Sequence, residues 1–569
     1  MRNSEISKLL YEIAEFLALK GENLFKIRAY ENAASNISSL TDDITEKIKN
    51  KEKIPGIGTG IREKIEEYIS TGKIQYLENL KEEFPAGIME IMSIQSIGPK
   101  KARLFYDSLG VKNISELKEA ALQGRIRDIE TLGIKTEENI LKGIELYEKG
   151  TQRMLLSTAL ETAESIIAEI KNTGITDISE AGSLRRRTET VRDIDILCVS
   201  KTPVQTIEKF CSIGERVLAK GETKSSIITS RGIQADLRIV DKSEYGSALQ
   251  YFTGSKKHNI SLRGFAKEAG YKINEYGIFD LMDGRKIGGD TESEIYEKMH
   301  LSFIPPEMRE DAGEIEAAGQ GALPNLVDLP DILGDTHIHS KYSDGNMAIR
   351  EIAGKAEETG YLWAGICDHS VSLKVANGVT AEILYKKIDE IRNFNGPLRK
   401  IKLLCGSETD ILADGALDYP DEILKELDIV IAAIHTGFKQ DERSITRRII
   451  QAIKNKYVHI IAHPTGRLLN RREPYAVNLD EIIQAAADYG VALEINASPD
   501  RLDLPDIWCR KAKEKKVTLA IGTDSHSAEQ LNYMKLGVFM ARRGWLEKNN
   551  LLNCMDMKTL ESFLKRRRK

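Results

Sequence analysis

The feature that most constrains the fold is a regular alternation of apolar runs and amphipathic segments across residues 333–569. The apolar runs are typical of buried strands and read WAGICDHS, IKLLCGSE, IVIAAIHT, VHIIAHP, VALEINAS and VTLAIGTDSH. Strands that alternate with helices in this way predict a parallel β/α barrel or a doubly wound sheet. In these folds the functional side chains lie at the carboxyl ends of the strands.

Histidines and acids stand at those positions. Seven of the nine histidines follow residue 330, and six of the seven lie at predicted strand ends beside acids or small residues. The candidate metal ligands are His337, His339, Asp344, His369, Glu408, His435, His463, Asp524 and His526. One such histidine alone would more often be structural, as we expect for His459, but six in successive units indicate a metal centre. Asp368 either orients a ligand from behind or is an ordinary surface acid.

Residues 1–150 show helical spacing and glycine-containing joints, without a convincing strand pattern. Two joints are alike, IPGIGTGIREKIEEYI at 54–69 and IQSIGPKKARLFYDSL at 94–109. Glycine at a helix start lets backbone N–H groups approach a phosphate closely. The repeat favours two DNA-binding helix-hairpin-helix units over plain helical turns. The candidate DNA-binding residues here are Gly56, Gly58, Gly60, Gly98, Lys100 and Lys101.

A second group of acids lies in the middle of the chain. Asp193 and Asp195 are spaced so that both carboxylates leave one face of a strand, and Asp236 interrupts a later apolar run. Three converging carboxylates repel one another unless divalent cations neutralise them. The set suits two-metal phosphoryl transfer. Candidate phosphate-binding residues upstream are Gly182, Ser183, Arg185 and Arg186.

The segments GSLRRRTETVRDIDIL, ADLRIV and YFTGSKKHNISLRGFAKEAGYKINEYGIF resemble the family X DNA polymerases, such as DNA polymerase beta, over residues 1–320. The resemblance implies that Asp193, Asp195 and Asp236 are catalytic ligands of Mg²⁺. It implies nucleotide binding by Gly182, Ser183, Arg186, Tyr251, Phe252, Gly254 and Asn259, and template contact by Arg263.

Other positions bear on the finer activities of that family. Lys64 matches the Schiff-base lysine of the family's lyase domain, with Lys26 and Tyr30 before it, although a simple phosphate contact is equally consistent. Gln234 stands where the beta enzyme has an arginine, and Lys256 replaces an acid. We expect these two departures to alter fidelity or nucleotide affinity without removing polymerase activity.

The tail resembles the PHP (polymerase and histidinol phosphatase) domain, a distorted (β/α)7 barrel that binds three metal ions, and all nine positions are filled. The resemblance implies one ion at His337, His339, Glu408 and Asp524, with Glu408 bridging to a second ion at His369 and His435. It implies a third ion at Asp344, His463 and His526. A donor set rich in imidazole favours Zn²⁺ or Mn²⁺ over Mg²⁺.

The predicted fold class is a multidomain chain with an α-helical helix-hairpin-helix region, an α+β nucleotidyltransferase palm with a nucleotide-selection subdomain, and a C-terminal distorted (β/α)7 PHP barrel. The predicted boundaries are 1–85 for a helical 8-kDa-like domain, 86–150 for a second helix-hairpin-helix subdomain, 151–241 for the palm, 242–318 for the nucleotide- and template-binding subdomain, 319–332 for a linker and 333–569 for the PHP domain.

The combination predicts a repair polymerase that fills short gaps in DNA, as in base excision repair. The PHP domain would act as a 3′-5′ exonuclease, with AP endonuclease or other 3′-end processing as a further activity. In one alternative the PHP domain is a small-molecule phosphatase of the histidinol-phosphate kind. In another, the front half is a non-catalytic DNA-binding module. The predicted partners are gapped or primer-template DNA and dNTPs.

Bulk properties set looser limits. A chain of 569 residues is too long for one core, and a net charge of −5 leaves room for local basic clusters. Six scattered cysteines without CxxC spacing indicate a reducing compartment. No signal-peptide core or bilayer-length apolar run stands out, so we expect a cytoplasmic monomer without a membrane partner.

Overall fold

The computed structural model describes residues 2–38, 44–50, 52, 57–85, 87–92, 94, 97–129, 132–151, 153–396 and 400–566. The chain divides into two compact units. The first comprises 1–152 with 470–472, and the second comprises 153–469 with 473–569. Among the described helices, none combines the length and the apolar character that a membrane crossing requires.

The first unit is built from helices, which confirms the helical prediction for this region. They are α1 (Arg2–Lys20), α2 (Leu24–Ser38), α3 (Ile44–Lys49), α4 (Thr59–Thr71), α5 (Gln75–Glu82), α6 (Ile88–Met92), α7 (Pro99–Leu109), α8 (Ile114–Leu122) and α9 (Ile134–Thr151). Gly58 and Gly98 cap α4 and α7 in extended backbone, and Pro99 occupies the first turn of α7. Proline is favoured there because the first helical N–H has no partner within the helix.

The second unit begins with an α+β region. Its elements are β1 (Met154–Leu155), α10 (Leu156–Ile170), β2 (Ile175–Glu180), α11 (Gly182–Arg185), β3 (Thr190–Val191), β4 (Asp193–Ser200), α12 (Pro203–Ile213), β5 (Arg216–Lys220), β6 (Lys224–Ile228) and β7 (Gln234–Ile239). The five-stranded sheet has the order β2-β4-β7-β6-β5, in which only the β4–β7 pair is parallel. Helices α10 and α12 contribute buried apolar side chains to the core of this region.

A smaller α+β segment follows. It contains α13 (Tyr245–Thr253), α14 (Lys256–Glu268), β8 (Tyr271–Asn274), β9 (Gly277–Asp280), β10 (Lys286–Gly288), α15 (Glu292–Lys298) and α16 (Glu314–Gly319). The three strands pair antiparallel in the order β10-β9-β8. Leu262, Ile278 and Tyr296 belong to the buried cluster that joins this sheet to the helices.

The remainder of the second unit is a parallel sheet of seven strands alternating with helices. It contains β11 (Gly334–Ile338), α17 (Ile349–Thr359), β12 (Trp363–His369), α18 (Ala381–Phe394), β13 (Lys402–Asp410), α19 (Asp421–Leu424), β14 (Ile429–Ala433), α20 (Glu442–Lys454), β15 (Ile460–Ile461), α21 (Leu479–Tyr489), β16 (Ala492–Asn496), α22 (Asp506–Glu514), β17 (Leu519–Gly522), α23 (Met534–Arg543) and α24 (Met557–Arg566). The strands follow one another in chain order. This confirms the barrel prediction.

Hydrogen bonds between the first strand and the segment after the last bring the sheet to near closure. The His339 N–H donates to the Ser525 carbonyl oxygen at 2.8 Å, and the Asp524 N–H donates to that of His337 at 2.9 Å. The carboxylate of Asp335 accepts from both the N–H and the hydroxyl of Thr523. The barrel is irregular at β15, which has two residues.

Candidate active sites

The nine predicted ligand residues of the tail come together at the carboxyl ends of the barrel strands. His337 lies on β11, His369 ends β12 and Glu408 lies near the end of β13. The remaining members follow strand ends, and they are His339, Asp344, His435, His463, Asp524 and His526. The amphipathic helices position these side chains by burying the outer face of the sheet.

One group of candidate metal ligands contains residues from both sides of the barrel closure, His337 on the first strand with His339 directly after it, and Asp524 from the segment after the last. The Nε2 atom of His339 lies 3.0 Å from Asp524 Oδ1 and 3.1 Å from His337 Nε2. Ligand atoms of these three side chains are close enough to hold one metal ion. Asp524 adopts φ 53°, a conformation that is unfavourable for a non-glycine residue and that often marks a functional site.

Two further groups share His369. Its Nδ1 atom lies 2.8 Å from Glu408 Oε2, and His435 Nε2 lies 3.2 Å from the other oxygen of Glu408. On the opposite side, Asp344 Oδ2 lies 3.7 Å from His369 Nε2. Asp344 Oδ1 lies 3.3 Å from His526 Nε2. These atoms, with His339, form two more sets that could each hold an ion.

The position of His463 differs from the expected grouping with Asp344 and His526. Its Nε2 atom lies 2.9 Å from Glu408 Oε1. The order of strands in the sheet explains the difference. Asp344 and His526 follow β11 and β17, which are neighbours across the closure, whereas His463 follows β15, between β14 and β16.

Several buried ligand atoms fit a divalent cation. Among the described residues, the buried atoms Glu408 Oε2, His339 Nδ1 and His369 Nδ1 make no hydrogen bond, although His369 Nδ1 and Glu408 Oε2 lie 2.8 Å apart. Burial alone would raise the pKa of Glu408, but the charges of His435 and His369 hold that pKa well below its usual value. An ionised carboxylate facing an imidazole nitrogen is a donor set suited to a transition metal.

Two further acids, not predicted from the sequence, contact the ring nitrogens of the histidines that face away from the metal groups. Glu494 on β16 lies 2.7 Å from Nδ1 of His337, and its other oxygen accepts from the His463 N–H. Asp410, on β13, contacts Nδ1 of His435. A carboxylate on Nδ1 fixes the ring and directs Nε2 to the metal. The sequence feature that could have indicated Glu494 is a glutamate inside the otherwise apolar run VALEINAS.

Asp368 is not a surface acid, since its side chain is 1% exposed. It pairs with Lys387, which is fully buried, at 2.6 Å. It also accepts from the N–H and hydroxyl of Ser340 and from the hydroxyl of Ser343. Asp368 therefore anchors the loop that carries Asp344, and Lys387 is a structural residue that the sequence pattern did not reveal.

The central acids lie on adjacent strands of the five-stranded sheet. Asp195 on β4 stands directly opposite Asp236 on β7, and Asp193 is two residues earlier on β4. Burial, with the nearby charges of Asp193 and Asp236, raises the pKa of Asp195 to about 7. This mutual repulsion is what a bound divalent cation would relieve. Asp236 is held by the hydroxyl of Ser226 and by Gln234 Nε2, the latter at 2.8 Å.

The segment beside these acids needs glycine at its first helical residue. Gly182 adopts φ 58°, and a Cβ there would lie 2.2 Å from Asp195 Oδ2. Ser183 is the next residue of α11. The Arg186 side chain donates to Glu310 at 3.1 Å and to the Thr253 carbonyl oxygen. Arg185 is committed to a bidentate pair with the buried Glu292.

The nucleotide- and template-binding candidates surround the turn between α13 and α14. Tyr251 and Phe252 form an edge-to-face pair, with ring centroids 5.2 Å apart. Asn259 Nδ2 donates to the Tyr251 carbonyl oxygen at 2.7 Å. A Cβ at Gly254 would lie 3.2 Å from the Arg186 guanidinium. The side chain of Arg263 is exposed on α14.

In the first unit, Gly58, Gly60 and Gly98 lie at helix starts with open space where a Cβ would be. Lys100 and Lys101 lie in the first turn of α7. Gly56 lies outside the described residues. These positions form an open approach to the backbone at two helix starts.

The lyase candidate Lys64 lies on α4. Its Nζ atom donates to the Gly60 carbonyl oxygen and lies 4.8 Å from the Tyr76 ring centroid. Lys26 lies 5.6 Å from the same ring, and Tyr30 stacks on it. The predicted lyase residues are thus gathered around one tyrosine.

Comparisons with known proteins match the domains that carry the two sites. Family models match a helix-hairpin-helix domain at 1–74, a DNA polymerase beta thumb at 248–310 and a PHP domain at 335–498. A DNA polymerase/3′-5′ exonuclease PolX of Bacillus subtilis is 41% identical over the full length of both chains. A probable phosphatase of a Thermoanaerobacter species is 29% identical, covering 41% of this chain and 95% of its own. A probable phosphatase of Caldanaerobacter subterraneus is 32% identical, covering 34% of this chain and 75% of its own.

The helical region, the polymerase sheet with its paired acids and the histidine-lined barrel define a DNA polymerase fused to a metal-dependent phosphoesterase domain. The chain belongs to the family X DNA polymerases that carry a C-terminal PHP domain.

Proposed function

We propose that the chain fills short gaps in DNA by template-directed dNTP addition and trims 3′ ends with its PHP domain. The observation that carries the proposal is that two acidic centres, built on different sheets, occur in one chain. The polymerase centre extends a primer, and the barrel centre removes 3′-terminal nucleotides. Cleavage at abasic sites and processing of blocked 3′ ends are further reactions of the same barrel centre.

At the polymerase centre, Asp193, Asp195 and Asp236 would hold Mg²⁺. Bound metal would supply activation of the primer hydroxyl and charge neutralisation at the triphosphate. Gly182 and Ser183 would bind the phosphates, since Gly182 lies directly beside the Asp195 carboxylate at the start of α11. Tyr251, Phe252, Gly254 and Asn259 would bind the sugar and base of the nucleotide. The remaining assignments are Arg186 to the triphosphate and Arg263 to the template strand.

At the barrel centre, the donor set would hold three Zn²⁺ or Mn²⁺ ions, which would supply Lewis-acid stabilisation of a phosphodiester under attack. The assigned ligands are His337, His339, Asp344, His369, Glu408, His435, His463, Asp524 and His526. Glu408 is central because its two oxygens face His369 on one side and His435 and His463 on the other. Glu494 and Asp410 keep His337 and His435 in the orientation that binding requires.

The first unit would bind the backbone of gapped or primer-template DNA through the helix starts at Gly58, Gly60 and Gly98 and through Lys100 and Lys101. The Lys64 amine beside Tyr76 is the candidate nucleophile for 5′-deoxyribose-phosphate removal. The protein would act on DNA as a cytoplasmic monomer within base excision repair.

A primer-extension assay on a one-nucleotide gap with a 5′-phosphate tests the proposal. The wild type, an Asp193→Ala/Asp195→Ala variant and His339→Ala would be compared with and without dNTPs in Mg²⁺ and in Mn²⁺. We expect the aspartate variant only to shorten the primer and His339→Ala only to extend it. Shortening of the primer by His339→Ala as fast as by wild type would refute the nuclease assignment.

A small-molecule phosphatase is a second candidate function for the barrel. The observation that favours it is the similarity of this part of the chain to two probable phosphatases. The full chain would be assayed on histidinol phosphate and on single-stranded DNA, with His339→Ala as the control. Hydrolysis of the DNA alone, lost in His339→Ala, would exclude the phosphatase, whereas hydrolysis of the small ester alone would establish it.

A further inference from the structure

The geometry points to a role of the PHP barrel in the polymerase centre: we propose that Arg543 on α23 is a positioning residue for Arg186. The inference rests on the proposed function, in which Arg186 binds the triphosphate of the incoming nucleotide. Both residues belong to the second compact unit.

Arg543 is joined to Arg186 directly and through one carboxylate. Its Nη1 atom donates to the Arg186 main-chain oxygen at 2.7 Å and to Glu310 Oε1 at 3.1 Å. Arg186 Nε donates to the same oxygen of Glu310 at 3.1 Å. The other end of the Arg543 guanidinium pairs with Asp506 of the barrel at 2.6 Å. One glutamate oxygen is therefore shared by two guanidinium groups.

The two guanidinium groups are poorly screened by water, whereas the Glu310 side chain is 32% exposed. The side chains of Arg186 and Arg543 are 14% and 9% exposed. Charge-assisted hydrogen bonds in such surroundings are stronger than those at the surface. Removal of either arginine therefore changes how strongly Glu310 holds the other.

The barrel contacts the same segment at further points. Arg467 forms a two-point pair with Glu189, and the Arg187 guanidinium lies 4.8 Å from the centroid of the Phe539 ring. The segment after α11, which carries Arg186, is thus held by barrel residues at more than one point. Unlike Arg467 and Phe539, Arg543 contacts both the main-chain oxygen of Arg186 and Glu310, the ion-pair partner of Arg186.

The shared carboxylate sets up a competition. A triphosphate that binds Arg186 would compete with Glu310 for the Arg186 guanidinium, and a second cation on Glu310 weakens that competition. Arg543 is that cation, since it already contacts Glu310. Without Arg543, Glu310 would pair with Arg186 alone and compete more strongly with the nucleotide. The barrel would in this way tune nucleotide affinity at the polymerase centre.

Steady-state gap filling by the full-length chain tests this. Arg543→Ala is expected to raise the KM for dNTP by roughly tenfold, because Glu310 then competes more strongly with the nucleotide for Arg186, while kcat stays within about twofold. The 3′-5′ exonuclease rate of the same variant should equal that of the wild type. Arg542→Ala is the matched control, because its guanidinium donates to Glu307 and to the Val327 carbonyl oxygen.

A rescue experiment separates this role from a merely structural one. Glu310→Gln in the Arg543→Ala background removes the competing charge and should return KM to within about threefold of the wild-type value. An unchanged KM in Arg543→Ala, or a raised KM that Glu310→Gln does not lower, would overturn the proposal. Absence of dNTP incorporation by the wild type would instead refute the proposed polymerase function, so the two failures are distinguishable.

Discussion

Glu494 Oε1 lies 2.7 Å from Nδ1 of His337, although their strands, β16 and β11, are not neighbours in the sheet. Gly522 on β17, the strand between them, makes the contact possible. A Cβ at Gly522 would lie 2.3 Å from the same Glu494 oxygen. The carboxylate thus reaches His337 across an intervening strand that has no side chain at this point.

Glu494→Gln should weaken metal binding, because an amide is a poorer acceptor for the His337 N–H than a carboxylate. We expect affinity for Mn²⁺ to fall about 10- to 100-fold, measured by titration of metal-depleted protein. Glu422→Gln on the exposed surface of α19 is the control and should bind as the wild type does. Equal affinity in the two variants would show that Glu494 does not support the ligand.

Lys387→Met should destabilise the barrel strongly. The substitution leaves the buried Asp368 carboxylate without its charge partner, at a cost of about 3–5 kcal/mol in the free energy of unfolding. Chemical denaturation followed by circular dichroism measures the loss. The adjacent Lys386 pairs with Glu382 at the surface, so Lys386→Met should cost less than about 1 kcal/mol. Similar losses in both variants would contradict the structural role of the buried pair.

Gly182→Ala should abolish gap filling while preserving exonuclease activity. Alanine at position 182 would have to adopt φ 58°, and its methyl group would collide with Asp195 Oδ2. Either the Asp195 side chain or the α11 turn must therefore move. We expect kcat/KM for dNTP to fall at least about 100-fold. Gly232→Ala, at φ 74° with open space around it, carries the backbone strain without the collision. A comparable loss in that control would mean that strain alone is responsible.

Gln234→Ala should raise the Mg²⁺ concentration needed for half-maximal polymerisation. The Gln234 amide holds Asp236 Oδ2 at 2.8 Å, and its loss frees the carboxylate to rotate. We expect an increase of about 3- to 10-fold, with a smaller change in KM for dNTP. Thr229→Ala, in the turn between β6 and β7, provides a control, because the Thr229 hydroxyl donates to the Ile233 carbonyl oxygen and not to Asp236. An unaltered Mg²⁺ requirement would show that Ser226 alone holds Asp236.

The strand-end histidines could be predicted from the sequence because strand direction fixes where the end of each apolar run lies. Their division among metal groups could not be predicted. It depends on which strands are neighbours across the closure, and so His463 was expected with Asp344 and lies with Glu408. The burial of Lys387 could not be predicted either. A lysine on an amphipathic helix is expected to be exposed, and only the structure shows that this turn of α18 faces the sheet.

Closure of the barrel between β11 and the segment after β17 has a consequence for biosynthesis. A nascent chain folds from its N-terminus, so the polymerase acids are made long before the final strand of the barrel. Asp524 and His526 are among the last site residues to leave the ribosome. Until they do, β11 lacks the hydrogen-bond partners that close the barrel on that side. A message truncated before codon 524 would therefore yield a chain whose barrel centre lacks Asp524 and His526, while Asp193, Asp195 and Asp236 would still be translated.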